Sequence, residues 1–265
     1  MYCAVLGSPI AHSLSPVLHY AALRAAGLDD WSYGRVEVGA GELAGFVASL
    51  DDSWRGLSLT MPLKVEALEV ADRVTQLAEQ AGAANTLVRD PDGAWVADNT
   101  DVGGFVDALK KVPIIPAAIL GSGATARSAV LALKQRGHSH VVVHARNLTK
   151  ARELGKWAKD QAVSVSTEKL SNWVYGTEAL IISTLPAGTE LRMPLEAGHL
   201  QVVMDVVYDG WPTPLAVACE RVGVQTIGGL ELLIKQAARQ FKLFTGVKAD
   251  EKAMRAALDL ALAWR

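Results

Sequence analysis

Three polar clusters near the start of the chain carry residue types that can hold a small ligand. The first is Ser13 and Ser15, inside Gly-Ser-Pro-Ile-Ala-His-Ser-Leu-Ser-Pro, Gly7 to Pro16. The second is Ser58-Leu59-Thr60-Met61-Pro62-Leu63-Lys64. The third joins Gly82-Ala83-Ala84-Asn85-Thr86 to Asp98-Asn99-Thr100-Asp101. Together they offer hydroxyls, an amide, one lysine and one carboxylate, an inventory suited to a polyhydroxylated anion. Each follows or flanks an apolar run, so each is placed for a strand end, where α/β proteins bind ligands. Each also has a plainer role open to it. Ser13 or Ser15 can cap a helix before Val17, with Pro16 at its first position. Lys64 can be a surface lysine, and Asp101 can cap a helix over Gly103–Leu109.

A second chemistry lies in Ala117-Ala118-Ile119-Leu120-Gly121-Ser122-Gly123-Ala124-Thr125-Ala126. An apolar strand runs into a Gly-x-Gly turn, and a helical pattern opens behind it. Gly121 permits the tight turn, and Gly123 lets the backbone approach a pyrophosphate. The helix start adds N–H donors and a positive dipole end. The next strand ends about twenty residues on, where an NAD-binding protein places an acid for the ribose hydroxyls. Here the chain reads Ala145-Arg146-Asn147-Leu148-Thr149-Lys150, with two cations and no acid. A guanidinium grips phosphate with its planar fork and stacks on adenine. A carboxylate would repel a 2′-phosphate, so NADP is expected rather than NAD. The plainer reading is two solvated cations, which a helix dipole disfavours at that end.

These clusters need elements to position them. Short apolar runs read as strands at Cys3–Leu6, Trp54–Leu59, Ala117–Leu120, Val141–His144, Ala179–Ser183 and Val202–Val207. Helical spacing falls at Ser15–Ala26, Ala124–Gln135, Thr149–Gln161, Pro214–Val222, Glu231–Thr245 and Asp250–Trp264. Alternating strands and helices, with strands apolar throughout, predict parallel sheets covered by helices. Lys110-Lys111-Val112-Pro113-Ile114-Ile115-Pro116 reads as a connector, which puts a domain boundary between Asp101 and Pro116. The 265 residues, half of them hydrophobic, suffice for one large or two medium domains. A net charge of −2 leaves no basic footprint for nucleic acid. Cys3 and Cys219 form neither a metal spacing nor a disulfide framework, which suits a reducing compartment. There is no basic leader and no apolar run long enough to span a membrane, so a cytoplasmic protein is expected. The histidines, His12, His19, His138, His140, His144 and His199, form no ligand cluster, and no metal is expected.

Eight pieces, in order, closely resemble the shikimate dehydrogenase family over nearly the whole chain. They are the opening stretch, Leu-Thr-Met-Pro-Leu-Lys, Gly-Ala-Ala-Asn-Thr-Leu, Asp-Asn-Thr-Asp, Gly-Ser-Gly-Ala-Thr-Ala and Ala-Arg-Asn-Leu-Thr-Lys. Asp-Val-Val-Tyr (Asp205 to Tyr208) with a later Pro-Thr-Pro-Leu follows, and then Gly-Gly-Leu-Glu-Leu-Leu-Ile-Lys-Gln-Ala-Ala. The resemblance implies an α/β protein with an N-terminal substrate domain, residues 1–103, completed by C-terminal helices in 231–265. It implies a Rossmann-type NADP-binding domain over 104–230, and a cleft between the domains that closes on both ligands. The implied activity is reversible NADPH-dependent reduction of 3-dehydroshikimate to shikimate, in chorismate and aromatic amino-acid biosynthesis. The implied partners are small molecules, in a monomer or a homodimer.

By the same resemblance, Ser13 and Ser15 grip the substrate carboxylate with help from Tyr208. Thr60, Lys64, Asn85, Asp101 and Gln236 match positions that bind the ring hydroxyls. Lys64 is expected to give the proton in reduction and take it in oxidation, with Asp101 orienting it as a coupled dyad. The implied dinucleotide positions are Gly121, Ser122, Gly123, Ala124, Thr125, Ala145, Arg146, Asn147, Lys150, Thr184, Val206, Gly229 and Leu232. Four departures stand out. Ser58 replaces a frequent Asn, Glu231-Leu232-Leu233 replaces Gly-Met-Leu, Ser183-Thr184-Leu185-Pro186 replaces an Asn-x-Thr/Ser piece, and Val102 replaces Gly. None removes Lys64 or Asp101. Two rivals remain. An NAD-dependent quinate/shikimate dehydrogenase would carry Thr at the second serine and an acid at the ribose position, against Ser15 and Arg146. A non-catalytic NADP- or ligand-binding regulator would lose Lys64 or Asp101, and both are present.

Overall fold

A computed structural model describes residues 1–263. The end of the expected Asp250–Trp264 helix, and of the segment 231–265, therefore lies outside the described residues. The chain groups into two units, Met1–Gly104 with Leu233–Arg265, and Phe105–Leu232.

The first unit begins with β1 (Tyr2–Gly7), α1 (Ser15–Ala25), β2 (Ser32–Glu37), α2 (Leu43–Ala48) and β3 (Trp54–Leu59). It continues with α3 (Ala67–Val70), β4 (Arg73–Val74), α4 (Gln76–Ala81), β5 (Thr86–Arg89), β6 (Trp95–Asp98) and the start of α5 (Thr100–Ala108). The sheet order is β2-β1-β3-β5-β6-β4. β1 runs parallel to β2 and β3, but β5 is antiparallel to both β3 and β6. The sheet is thus mixed where a parallel one was expected. The cause is local: only Asp90 to Ala94 separate β5 from β6, too short for a crossover. Gly93, at φ +89°, closes this hairpin and donates to the Asp90 carbonyl at 2.9 Å.

This pairing explains why three distant clusters meet. β1 and β3 end together, with Leu6 beside Leu59. The antiparallel strand β5 starts at that same edge, where Thr86 pairs with both Ser58 and Asp98. The segments after β1, β3 and β6, and the residue before β5, therefore share one edge. Beneath it, Leu6, Leu57, Leu59, Leu63 and Leu87 are buried in one apolar cluster. Each such side chain contributes roughly 1.5–3 kcal/mol on leaving water.

The second unit contains β7 (Ala117–Leu120), α6 (Ala124–Gln135), β8 (His140–Ala145), α7 (Leu148–Asp160), β9 (Ser164–Lys169) and a 3-10 turn at Leu170–Tyr175. β10 (Leu180–Ser183), β11 (Val202–Asp205), α8 (Pro214–Arg221) and β12 (Gln225–Gly228) follow. All neighbours in the order β12-β11-β10-β7-β8-β9 are parallel. β7, β10 and β11 are buried along their length, as strands covered on both faces must be. α9 (Gly229–Thr245) and α10 (Glu251–Ala263) end the described chain. No described helix is long and apolar enough to cross a membrane.

Candidate active site

Lys64 sits in the turn that leaves β3. Its neighbour Leu63 donates to the Thr60 carbonyl at 2.9 Å, and the Ala84 amide donates to the Lys64 carbonyl at 2.7 Å. That pins the lysine backbone beside the start of β5. Its ammonium lies 2.6 Å from Asp101 Oδ2, with side-chain exposures of 21% and 9%. Lys64 is therefore not a solvated surface lysine. Asp101 lies inside the first turn of α5 and does not cap it. The capping contact comes from Asn99, whose Oδ1 accepts from the Val102 amide.

Asn85 fixes the other end of the carboxylate. Its Nδ2 donates to Asp101 Oδ1 at 2.8 Å and lies 3.3 Å from Gln236 Oε1, while its Oδ1 accepts from the Thr100 amide at 2.8 Å. Gln236, on α9, in turn donates to the Leu233 carbonyl. Lys64, Asp101, Asn85 and Gln236 thus form one hydrogen-bonded group. Chemically it is a half-buried cation held at a fixed point by an anchored anion, which suits proton delivery to a substrate oxygen.

Ser13 and Ser15 are both buried at the entry to α1. Neither caps the helix: the N-cap position is Leu14, with no side-chain cap, and Pro16 occupies the first turn. Instead Ser13 Oγ accepts from the Ser15 amide at 3.3 Å. Arg35 on β2 donates two hydrogen bonds to the Ser13 carbonyl, at 2.9 and 2.7 Å. The Thr60 methyl packs where a Cβ on Gly7 would collide with it, so only glycine fits there. Beneath the serines lies Tyr33, fully buried, with His19 stacked on it at 3.9 Å between ring centres. Burial pushes the Tyr33 phenol far up and the His19 imidazole down to about 3. Tyr33, Arg35 and Gln240 are polar groups at this edge that sequence reasoning passed over. The available signal was the i, i+4 spacing of Gln236 and Gln240, which puts both on one face of α9.

The second unit holds the residues expected at a dinucleotide. Gly121, at φ +111°, donates to the His144 carbonyl, and a Cβ there would sit 2.6 Å from Thr184 Oγ1. Gly123 is extended, with open space where its Cβ would be, and it leads into the first turn of α6. Ser122, Ala124 and Thr125 flank it, half-buried. The amides of that turn have no acceptor within the helix, so the loop has the open cradle a pyrophosphate needs. Thr184 Oγ1 donates to the Leu120 carbonyl. Gly229 comes so close to Val206 that a Cβ would collide with the Val206 carbonyl oxygen. Leu232 is buried.

At the end of β8, Ala145 is buried and Arg146 is exposed ahead of α7. Asn147 caps that helix by accepting from the Lys150 amide at 3.1 Å. Tyr208, half-buried, follows Asp205, whose two oxygens accept from the Val207 amide and from Thr213 Oγ1. Burial raises the Asp205 carboxyl above its ordinary value.

Comparison with known proteins fits this geometry. The shikimate dehydrogenase substrate binding domain matches residues 5–87, and the shikimate 5'-dehydrogenase C-terminal domain matches residues 229–258. Shikimate dehydrogenase (NADP(+)) of Caulobacter vibrioides is 36% identical over 260 residues, covering 94% of this chain and 90% of that protein. The chain belongs to the shikimate dehydrogenase family. Among solved structures, shikimate dehydrogenase of Mycobacterium tuberculosis is 42% identical at a TM-score of 0.87, covering 98% and 99% of the two chains. Shikimate 5-dehydrogenase of Thermus thermophilus, in complex with NADP(H) and shikimate, is 30% identical at a TM-score of 0.88, with 98% and 99% covered.

Two of the departures from the family pattern have a physical setting. Glu231 lies in the first turn of α9, where a carboxylate meets the positive end of the dipole. Ser58 is 3% exposed and bonded on both sides, to Tyr33 and Gln240. Among the described residues, no group of three or more His, Cys, Asp or Glu side chains is placed to hold a metal.

Proposed function

We propose that this protein catalyses the reversible NADPH-dependent reduction of 3-dehydroshikimate to shikimate. The observation that carries the reading is the Lys64–Asp101 pair at 2.6 Å, held by Asn85 at the edge where Ser13, Ser15 and Thr60 also converge. The bound dinucleotide supplies the hydride. As the substrate ketone becomes an alcohol, negative charge builds on its oxygen, and the Lys64 ammonium neutralises that charge by giving a proton. In oxidation Lys64 takes the proton back. Asp101 keeps the ammonium aimed, and Asn85 keeps Asp101 from turning. Ser13 and Ser15 bind the substrate carboxylate, while Thr60, Asn85 and Gln236 bind ring hydroxyls. The Gly121–Thr125 loop holds the pyrophosphate, with Thr184, Val206, Gly229 and Leu232 along the rest of the dinucleotide. Arg146 and Lys150, with Ala145 and Asn147, receive the adenosine 2′-phosphate. The free, buried Cys3 and Cys219 fit a reducing compartment, and we assign the cytoplasm.

Initial rates of nicotinamide reduction, with shikimate and quinate crossed against NADP and NAD, test this. Fast turnover confined to shikimate with NADP is the expected result. Turnover of quinate with NAD would overturn the assignments of Ser15 and Arg146. Silence in all four combinations would overturn the dyad.

A further inference from the structure

Gln240 lies one turn beyond Gln236 on α9 and is 1% exposed. Its amide is bonded to β3 and to the residues at the start of β5. Oε1 accepts from Ser58 Oγ on β3 at 2.8 Å, while Nε2 donates to the Asn85 carbonyl at 2.9 Å and lies 3.1 Å from Thr86 Oγ1. On one side, Tyr33 donates to Ser58 Oγ at 2.6 Å. On the other, Thr86 donates to Asn85 Oδ1 at 2.9 Å. Asn85 Nδ2 then donates to Asp101, which holds Lys64.

Every donor in this series points the same way. The order is Tyr33 O–H, Ser58 O–H, the Gln240 amide, Thr86 O–H, the Asn85 amide, and finally the Asp101 carboxylate. A carboxylate accepts only, so it sets the direction of everything behind it. A phenol at the head of the series, donating to Ser58, completes it. Such one-way chains strengthen each bond through polarisation, and no member can turn without leaving a buried polar group unpaired. Asn85 is the vulnerable link, because a flipped amide would aim its oxygen at Asp101. The Thr100 amide at 2.8 Å and the Thr86 hydroxyl both hold the Asn85 oxygen against that flip, and Gln240 in turn holds Thr86 and the Asn85 carbonyl.

We propose that Gln240 is a positioning residue for the reaction: together with the Thr100 amide it holds the Asn85 amide in place, and through it the Asp101–Lys64 pair. The role rests on the dehydrogenase reading above. It also gives Ser58 a purpose, since the small hydroxyl leaves room for the Gln240 amide and passes the Tyr33 donor on to it.

Two substitutions test it. Gln240→Met keeps length and volume and removes both hydrogen-bonding ends. Gln240→Glu keeps the shape and, once ionised, only accepts, so that the Thr86 hydroxyl turns towards it and away from Asn85; its kcat is read at pH 7 and again at pH 9, where the ionised form is favoured. The readouts are kcat with saturating shikimate and NADP, KM for each ligand, and thermal unfolding. In both variants kcat is expected to fall about 10- to 100-fold while KM for NADP stays within about twofold, with Gln240→Glu at least as impaired as Gln240→Met. Wild-type kcat in either variant overturns the proposal. So does a fall that appears only near the unfolding temperature or that raises KM for NADP equally, since packing alone would do that. Failure of both variants to fold assigns Gln240 to stability and overturns it as well. Absence of shikimate turnover in the wild type would instead sink the dehydrogenase reading, a result the variants do not mimic.

Discussion

Asp101→Asn isolates what the Lys64–Asp101 pair does, because it changes charge and one hydrogen-bonding end at constant shape. At 2.6 Å and an effective dielectric near 20, the Coulomb attraction removed is about 6 kcal/mol before solvation is counted. Relief of the desolvation cost offsets part of it. What remains for a buried pair broken on one side is about 3 kcal/mol. The new amide also has a donor end that must face either the Lys64 ammonium or the Asn85 Nδ2, both of which are donors. One hydrogen bond is lost whichever way it turns. The Lys64 ammonium, at 21% side-chain exposure, then swings towards solvent and leaves its fixed point. General acid–base contributions of this kind run to about 10²–10⁴ in rate, so kcat is expected to fall by that factor. KM for NADP is expected to hold, because the dinucleotide residues lie in the other unit. The assay is NADPH formation from shikimate, with urea unfolding in parallel. The pair also acts as one device, so Lys64→Ala with Asp101→Asn should cost little more than Lys64→Ala alone. A kcat for Asp101→Asn within about threefold of wild type, or fully additive losses in the double variant, would refute the dyad.

Other positions give sharper single readings. Arg146→Ala is expected to raise KM for NADP by about 10- to 100-fold, the worth of a charge-assisted hydrogen bond, and to leave KM for NAD unchanged. Equal losses for both cofactors would show that Arg146 does not read the phosphate. Gly121→Ala must place a Cβ 2.6 Å from Thr184 Oγ1 at φ +111°. It should cost about 1–3 kcal/mol and weaken NADP binding, and an unchanged unfolding curve would contradict that. His19, fully buried, has its pKa lowered from 6.5 to about 3, chiefly by burial, with an interaction with Gln240 partly opposing it. The unfolded state therefore binds the proton first, and stability drains away as pH falls from about 6.5 towards 3. Between pH 7 and 5 this amounts to about 2 kcal/mol, which His19→Phe should abolish while keeping the stack on Tyr33. Identical acid sensitivity of the two proteins in urea titrations at both pH values would exclude His19 as the source.

The strands that the sequence revealed, β1, β3, β7, β8, β10 and β11, are the largely buried ones, and β7, β10 and β11 are buried along their whole length. β2, Ser-Tyr-Gly-Arg-Val-Glu, and β9, Ser-Val-Ser-Thr-Glu-Lys, are mostly exposed, so nothing in their composition separates them from loops. β5 and β6 are four residues each and join through a hairpin. That hairpin is the feature that makes the site, because only the antiparallel entry of β5 sets Asn85 beside Asp101 and Ser58 beside Thr86.

Lys64, Asn85 and Asp101 could be picked out as types without knowing this pairing, since a lone lysine and a lone carboxylate after apolar runs are conspicuous, whereas Gln236 rests on the family resemblance alone. Tyr33 could not, and Gln240 could only through its i, i+4 spacing from Gln236. A tyrosine in a polar strand and a second glutamine on an amphipathic helix both read as surface, and their burial follows from which helix lies on which sheet edge. A buried amide is costly unless every end is satisfied. Gln240 satisfies its ends with a hydroxyl on β3 and the carbonyl of the residue before β5, contacts that exist only once α9 is docked. The docking of α9 therefore adds a second hold on Asn85, which the Thr100 amide also aims, and a chain that folded without it would keep Lys64 and Asp101 beside a less firmly held partner.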